Sequence, residues 1–326
     1  MPKTGKPVAM ARADDDSWDI TESIGATALG VAMARADEAA SGRPLFTDPY
    51  AQLFIDAATA RGWTPPFDAA TLAELGKDDP RLAHRMAVMW GYAASRTKWF
   101  DEFFIAAGAA GVLQAVILAA GLDARAWRLP WVSETVVYEI DQPKVLEFKT
   151  ETLRAHNARP ATRYVAVPID LRQDWPKALR DAGFDVDEPT AWSAEGLLPY
   201  LPGDAQDRLF ERIGELSAPD SRIAVEAFSP KFFEPDAQAR RRARMEQMRE
   251  AAARAGKDLP DPEALWFTEK RTDVGEWLSD HGWEVGSTDA HDLMERYHRE
   301  VSLDVEDASA LGVFIDGQLS HYPVES

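Results

Sequence analysis

The 326 residues call for an open α/β fold built around a parallel β-sheet. Between Ala115 and Leu171, three apolar runs of about five residues stop at Gly121, Asp141 and Asp170. The runs are A-V-I-L-A-A-G, T-V-V-Y-E-I-D and R-Y-V-A-V-P-I-D, and unbroken apolar text of this kind suits central parallel strands covered on both faces. Helical text follows the first two (A-R-A-W-R-L and Q-P-K-V-L-E-F-K), while A-W-S-A-E-G-L-L at 191–198 and S-R-I-A-V-E-A-F at 221–228 read as a fourth and a fifth strand. Strands that alternate with helices are what an α/β architecture requires.

Residues 1–13, M-P-K-T-G-K-P-V-A-M-A-R-A, carry no periodic apolar pattern and are expected to be a disordered extension. From Ser17 to Ala110 the pattern is helical, interrupted by turn text at Gly42–Pro49 and around Pro65–Pro66. The sheet begins near Val112. After the fifth strand, D-A-Q-A-R-R-R-A-R-M-E-Q-M-R-E-A-A-A-R-A-G-K reads as a charged helix with too few apolar positions for a core; Glu246 and Glu250 among its arginines favour a solvated face over an anion-binding patch. Its place beyond a strand end suits a cap. V-G-E-W-L-S-D-H-G-W-E-V and L-G-V-F-I-D-G-Q-L then supply a helix and the last two strands.

The net charge of −19 argues against a general nucleic-acid binder, which needs clustered Lys and Arg. With no cysteine, disulfides and thiolate chemistry are excluded. No run of about 18 apolar residues is present, and Met1 to Ala13 lacks the apolar region of a signal peptide, so a cytoplasmic protein without membrane partners is expected.

In an open parallel sheet, the carboxyl ends of adjacent strands form the ligand crevice. A glycine there lets the backbone approach a ligand closely, and an acid at the second strand end can accept from both hydroxyls of a ribose. These features point to a nucleoside. The pyrophosphate signature G-x-G-x-x-G is absent, because A-A-G-L-D-A holds one glycine with Asp123 two positions later. A carboxylate at that point repels phosphate and suits an ammonium group, such as the amino-acid end of S-adenosylmethionine.

D-D-D-S-W-D at 14–19, S-I-G-A-T-A at 23–28, F-T-D-P-Y-A at 46–51, S-R-T-K-W-F-D at 95–101, A-A-G-L-D-A-R-A-W-R-L at 119–129, Y-E-I-D-Q-P at 138–143 and A-E-G-L-L-P-Y-L-P at 194–202 occur in this order and spacing. Together they resemble the actinobacterial family of S-adenosylmethionine-dependent methyltransferases related to leucine carboxyl methyltransferases. The likeness runs from about Ala11 to Gln318. It implies a class I methyltransferase, Rossmann-like fold: a mostly parallel sheet of seven strands, N-terminal helices, a helical cap insertion, and a closing antiparallel pair. The implied organisation is a single domain over 14–326, with a helical part at 14–110, a cofactor-binding core at 111–228, the cap at 229–264 and the remainder of the core at 265–326.

The resemblance also implies site residues for S-adenosylmethionine. Asp141 would meet the ribose, Asp170 the exocyclic amine of adenine with Leu171 over the ring, Gly121 the methionine portion, Asp123 its ammonium and Arg96 its carboxylate. Arg125 could share the carboxylate or serve as a structural ion-pair partner. Glu195 lies in otherwise apolar text, where an acid is costly without a partner, and is expected to face the cofactor. Helix capping is the competing role for Asp141 and Asp170, and a structural turn for Asp123. The related carboxyl methyltransferases also use an N-terminal lysine, for which A-R-A-D-E-A-A has no counterpart.

The six histidines lack metal-ligand spacing, and His291 and His298 offer no obvious third ligand, so no metal is expected. Trp18, Trp90, Trp99, Trp266 and Phe267 could line an apolar substrate pocket or simply build core. The expected reaction is direct displacement onto a small-molecule carboxylate or hydroxyl. A hydroxyl would benefit from a base, for which His84 and Tyr200 are the candidates. Two rivals stay open here: a nicotinamide-dependent oxidoreductase, and a non-catalytic S-adenosylmethionine-binding protein.

Overall fold

The structure is a computed structural model and describes Ile20 and residues 23–65, 80–254, 265–299 and 312–320. The expected disordered extension, Trp18 and positions 255–264 of the expected cap lie outside these residues. Among the described residues three helices precede the sheet, α1 (Ser23–Ala39), α2 (Ala51–Ala60) and α3 (Pro80–Ala109). The sheet units follow as β1 (Gln114–Leu118), α4 (Arg125–Arg128), β2 (Val136–Asp141), α5 (Pro143–Ala155), β3 (Arg163–Pro168), α6 (Trp175–Asp181), β4 (Thr190–Ala194), α7 (Gly203–Glu215) and β5 (Arg222–Phe228). Next come α8 (Pro235–Arg254), α9 (Val274–Asp280), β6 (Trp283–Asp289), α10 (Ala290–Arg296) and β7 (Gly312–Leu319).

The strands form one sheet of seven in the order β3-β2-β1-β4-β5-β7-β6, with β1 to β5 parallel and β7 antiparallel to both neighbours. This is the expected class I methyltransferase fold. The last strand lies inside the sheet, between β5 and β6, and β6 takes the edge.

Every residue of β1 and β4 is buried, as their unbroken apolar text requires. Side chains alternate between the two faces. Val116, Leu118, Tyr138, Ile140, Trp192 and Ile223 pack with Trp175, Leu179, Phe210 and Leu278 of α6, α7 and α9. Ala115, Ile117, Val137 and Ala191 turn the other way onto Leu29, Phe54, Phe104 and Phe148 of α1, α2, α3 and α5. Pro143 opens α5 at the position where its missing N–H costs nothing. Asp174 caps α6 by accepting from the Lys177 N–H at 3.2 Å, which assigns that cap to Asp174 and not to Asp170.

The charged helix α8 departs in part from the solvated helix expected. Ala237 is buried, and Arg241, 2% exposed, lies 3.6 Å from the ring centroid of Phe232 and donates Nη1 to the Phe232 carbonyl at 2.9 Å. An arginine can enter a core in this way because its stem is apolar and its guanidinium stacks on aromatic faces. Beyond it, Arg242, Glu246, Arg249 and Glu250 are exposed. Among the described residues no helix is long and apolar enough to cross a membrane.

Candidate functional site

The strand order reverses between β1 and β4, since the chain runs outward through β2 and β3 on one side and through β4 and β5 on the other. Such a switch point opens a crevice at the carboxyl ends of the strands. The turn after β1 is built on left-handed backbone at Ala119 (φ 50°) and Gly121 (φ 51°). That conformation is unfavourable for the non-glycine Ala119, by about 1–3 kcal/mol, and strain of this kind concentrates at functional sites. A Cβ on Gly121 would stand 3.5 Å from the Ala28 Cβ, an ordinary contact, so its backbone angle rather than lack of space favours glycine.

Asp141, at the end of β2, closes this turn. Its Oδ2 accepts from the Gly121 N–H and its Oδ1 from the Gln142 N–H, both at 2.6 Å. Burial pushes the Asp141 carboxyl above its usual range, against the pull of the two backbone N–H groups. Gln142 reaches across to Asp170 Oδ2 at 3.0 Å and so bridges the ends of β2 and β3. Asp170 also accepts from Arg172, at Oδ1 from the backbone N–H (2.8 Å) and Nε (2.9 Å) and at Oδ2 from Nη2 (2.8 Å). Partial burial pushes its carboxyl up, and the Arg172 hydrogen bonds outweigh that to hold it below the usual range. Leu171 is half-buried against the sheet core.

Beside this acidic edge lies a chain of buried and partly buried charge. Asp48 pairs with Arg35 at 3.1 Å and stands 3.8 Å from Arg128. Arg128 grips Asp101 with two bonds of 2.6 Å, and Asp101 pairs with Arg125 at 2.7 Å. Arg125, 2% exposed, also binds Asp123 and, at 2.7 Å, Glu195. Glu195 holds Arg96 Nε at 2.9 Å, and Arg96 Nη1 reaches Glu226 Oε2 at 3.2 Å. Glu226 accepts further from the Tyr92 hydroxyl and from the Gly196 N–H at 2.7 Å.

Burial opposes charge on Arg125, yet Asp123, Glu195 and Asp101 together hold it well above the ordinary arginine value. The same opposition holds at Asp123, where burial raises the carboxyl and Arg125 overrides it downward. Beneath the turn, Lys149 donates to the Asp123 carbonyl at 2.8 Å and pairs with Glu139 at 2.5 Å; both side chains are fully buried. Burial pushes Glu139 up to about 7 despite Lys149.

The structure thus gathers Arg96, Gly121, Asp123, Asp141 and Glu195 around the turns after β1 and β4, with Asp170 joined to them through Gln142. Asp123 has its carboxylate on Arg125, and Arg125 is an ion-pair partner of three acids. Arg35, from the stretch without a lysine, donates to the Leu122 carbonyl of the glycine turn at 2.6 Å. Tyr200 donates to Thr27 Oγ1 at 3.4 Å, and His84 is half-buried near the start of α3. Trp90 donates to Asp37 at 2.7 Å, and Trp99 packs on Phe100 and Phe314 in a core cluster. Trp266 joins Phe228, Phe232 and Phe233 beside α8, and the Phe267 N–H donates to the Pro199 carbonyl at 2.8 Å. His291, Asp292 and Glu295 bring potential ligand atoms within 4.8 Å of one another on α10.

Sequence reasoning missed Tyr92, Gln142, Arg172, Gly196 and Glu226. Glu226 carried the signal that singled out Glu195, an acid inside an apolar strand, and Tyr92 precedes Arg96 by one helical turn. A separate cavity of about 510 Å³ lies between α9 and strands β5, β7 and β6, lined by Phe228, Val274, Val285 and Ile315 among others. None of the strand-end acids lines it.

A sequence profile of the leucine carboxyl methyltransferase family matches residues 28–214. A protein of Mycobacterium avium (strain 104), named for S-adenosyl-L-methionine-dependent methyltransferase activity, is 52% identical over 313 residues, covering 95% of this chain and 99% of its own. Another with that name, from Mycolicibacterium paratuberculosis, is 54% identical over 312 residues, covering 95% of this chain and 97% of its own. A crystal structure from Thermobifida fusca YX aligns with a TM-score of 0.46 at 17% identity, over 88% of this chain and 94% of that one.

Proposed function

The chain belongs to the leucine carboxyl methyltransferase family and is an S-adenosylmethionine-dependent methyltransferase, and we propose that it O-methylates a small molecule at a carboxylate or a hydroxyl. The observation that carries the donor site is the Asp141 carboxylate fixed across the glycine turn by two backbone N–H groups. Each carboxylate oxygen offers about two acceptor positions, so one on each remains for the two ribose hydroxyls. Asp170 is assigned the adenine amine with Leu171 beside the ring. Because Arg172 and Gln142 already fill the Asp170 acceptor positions, the amine would displace one of these contacts, and the partly exposed Arg172 is the easier to move.

At the other end, Arg96 is assigned the methionine carboxylate. Its Nε is ion-paired with Glu195 and its Nη1 hydrogen-bonded to Glu226, while Nη2 makes no hydrogen bond among the described residues. Gly121 lines the same portion, and Glu195 faces the cofactor. Asp123 and Glu195, which share Arg125 as a partner, are assigned the ammonium together.

When bound, the donor supplies a methyl group on an already activated sulfonium. The protein's part is then to align an acceptor oxygen with that methyl and to exclude water, and a carboxylate acceptor needs no base. For a hydroxyl acceptor, Tyr200 or His84 is proposed to take the proton. The charge of −19 supports a small-molecule acceptor over nucleic acid, and cytoplasmic residence belongs to the same proposal. Incubating the protein with methyl-labelled donor against a metabolite extract and, separately, against total nucleic acid tests this. Label in the small-molecule fraction is expected, and label in nucleic acid alone would overturn the acceptor class.

A further inference from the structure

Tyr92 has no part in the function above, and Glu226 enters it only as a partner of Arg96, the residue assigned to the donor carboxylate. Glu226 stands in β5, where Oε1 accepts from the Tyr92 hydroxyl and, at 3.3 Å, from Arg96 Nη1. Its Oε2 takes Arg96 Nη1 at 3.2 Å and the Gly196 N–H at 2.7 Å. One carboxylate therefore ties α3, the turn after β4 and β5 to a single point. Gly196 sits at φ 63°, so the N–H that Glu226 accepts comes from a turn whose backbone favours glycine. Close by, Gly312 opens β7, and a Cβ there would come within 2.9 Å of the Tyr92 hydroxyl.

An arginine loses side-chain freedom when it fixes a ligand, and one already held has lost it beforehand. Arg96 is held from two sides, by Glu195 at Nε and by Glu226 at Nη1, so the direction of Nη2 is set in advance. The cluster also presents both signs of charge, which a zwitterionic amino-acid group can satisfy at once. We infer that Glu226, kept in place by Tyr92, is a positioning residue that presets Arg96 for the amino-acid end of the donor, an inference that rests on the donor site proposed above.

Two ligands separate this role from a general structural one. S-adenosylhomocysteine carries the amino-acid end, and 5′-methylthioadenosine keeps the nucleoside and thioether without it. Calorimetry on the full chain should show Glu226→Gln weakening S-adenosylhomocysteine about 10-fold or more and Tyr92→Phe about 3-fold, with 5′-methylthioadenosine changed less than about 2-fold in both. Equal losses for the two ligands, or no loss for S-adenosylhomocysteine, would overturn the inference. Should Glu226→Gln fail to fold, Tyr92→Phe decides by the same ratio. A wild-type protein that binds neither ligand would bring down the donor site itself, a result distinct from any variant's behaviour.

Discussion

The two halves of the crevice are built on opposite plans. On the β2–β3 side, Asp141 is oriented by uncharged backbone N–H groups and Asp170 by a neighbour two residues away. Toward β4 and β5, five carboxylates (Asp48, Asp101, Asp123, Glu195 and Glu226) interlock with four guanidiniums (Arg35, Arg96, Arg125 and Arg128). In the donor site proposed above, a carboxylate that meets hydroxyls needs only direction, and backbone supplies it without adding charge. A pocket for a charged group needs fixed charges, and these must neutralise one another while the ligand is away. The second plan ties binding to stability, because a missing member strands its partners in the interior.

Removing the centre of the ionic chain should therefore have the largest effect. Arg125→Met leaves Asp101, Asp123 and Glu195 without a shared cation at a site 2% exposed, and denaturant unfolding is expected to show a loss of about 3–5 kcal/mol. A loss below about 1 kcal/mol would mean that the network contributes little to the fold.

The buried Glu139 gives a pH signature. Its folded value of about 7 lies above the ordinary 4.5, so the folded state keeps a proton that the unfolded chain releases in this window. Stability should fall as pH rises from about 4.5 through about 7, by no more than about 3 kcal/mol, and Glu139→Gln should flatten the slope. A parallel Tm–pH curve for the variant would contradict the assignment.

On the nucleoside side the expected effects are on binding. Asp141→Ala should weaken S-adenosylmethionine by about 1.5–3 kcal/mol, read by calorimetry, with the far-UV spectrum unchanged. Unaltered affinity would end the ribose assignment. The smallest effect concerns α8 alone: hydrogen exchange should be slow near Ala237 and Arg241, which are buried, and fast from Arg242 onward. Uniform protection along the helix would contradict this division.

The same contrast explains what could be read in advance. Asp141 contacts Gly121 and Gln142, at sequence separations of 20 and 1, and strand-end text announces it. Arg96 meets Glu226 at a separation of 130, and Tyr92 meets it at 134, contacts that no local pattern encodes. β1, β2 and β4 were legible because buried parallel strands are written as unbroken apolar runs, whereas β3, whose apolar text read as a central strand, takes the sheet edge and is only partly covered. The interior place of β7 was not legible, since its text fits an edge as well as a centre. Arg241 illustrates another limit: within an arginine run nothing distinguishes the one that lies on Phe232.

The position of β7 also has a consequence for synthesis. Residues 312–318 pair with β5 at 222–228, so when β5 leaves the ribosome about 90 residues remain before its second neighbour exists. Until then β5 presents an unpaired edge, the usual template for association with another chain. In the same interval Phe314 has yet to pack against Trp99 and Tyr92. The β4–β5 side of the crevice is therefore finished last, and a ribosome-stalled chain ending before Gly312 should be the species most readily bound by a chaperone.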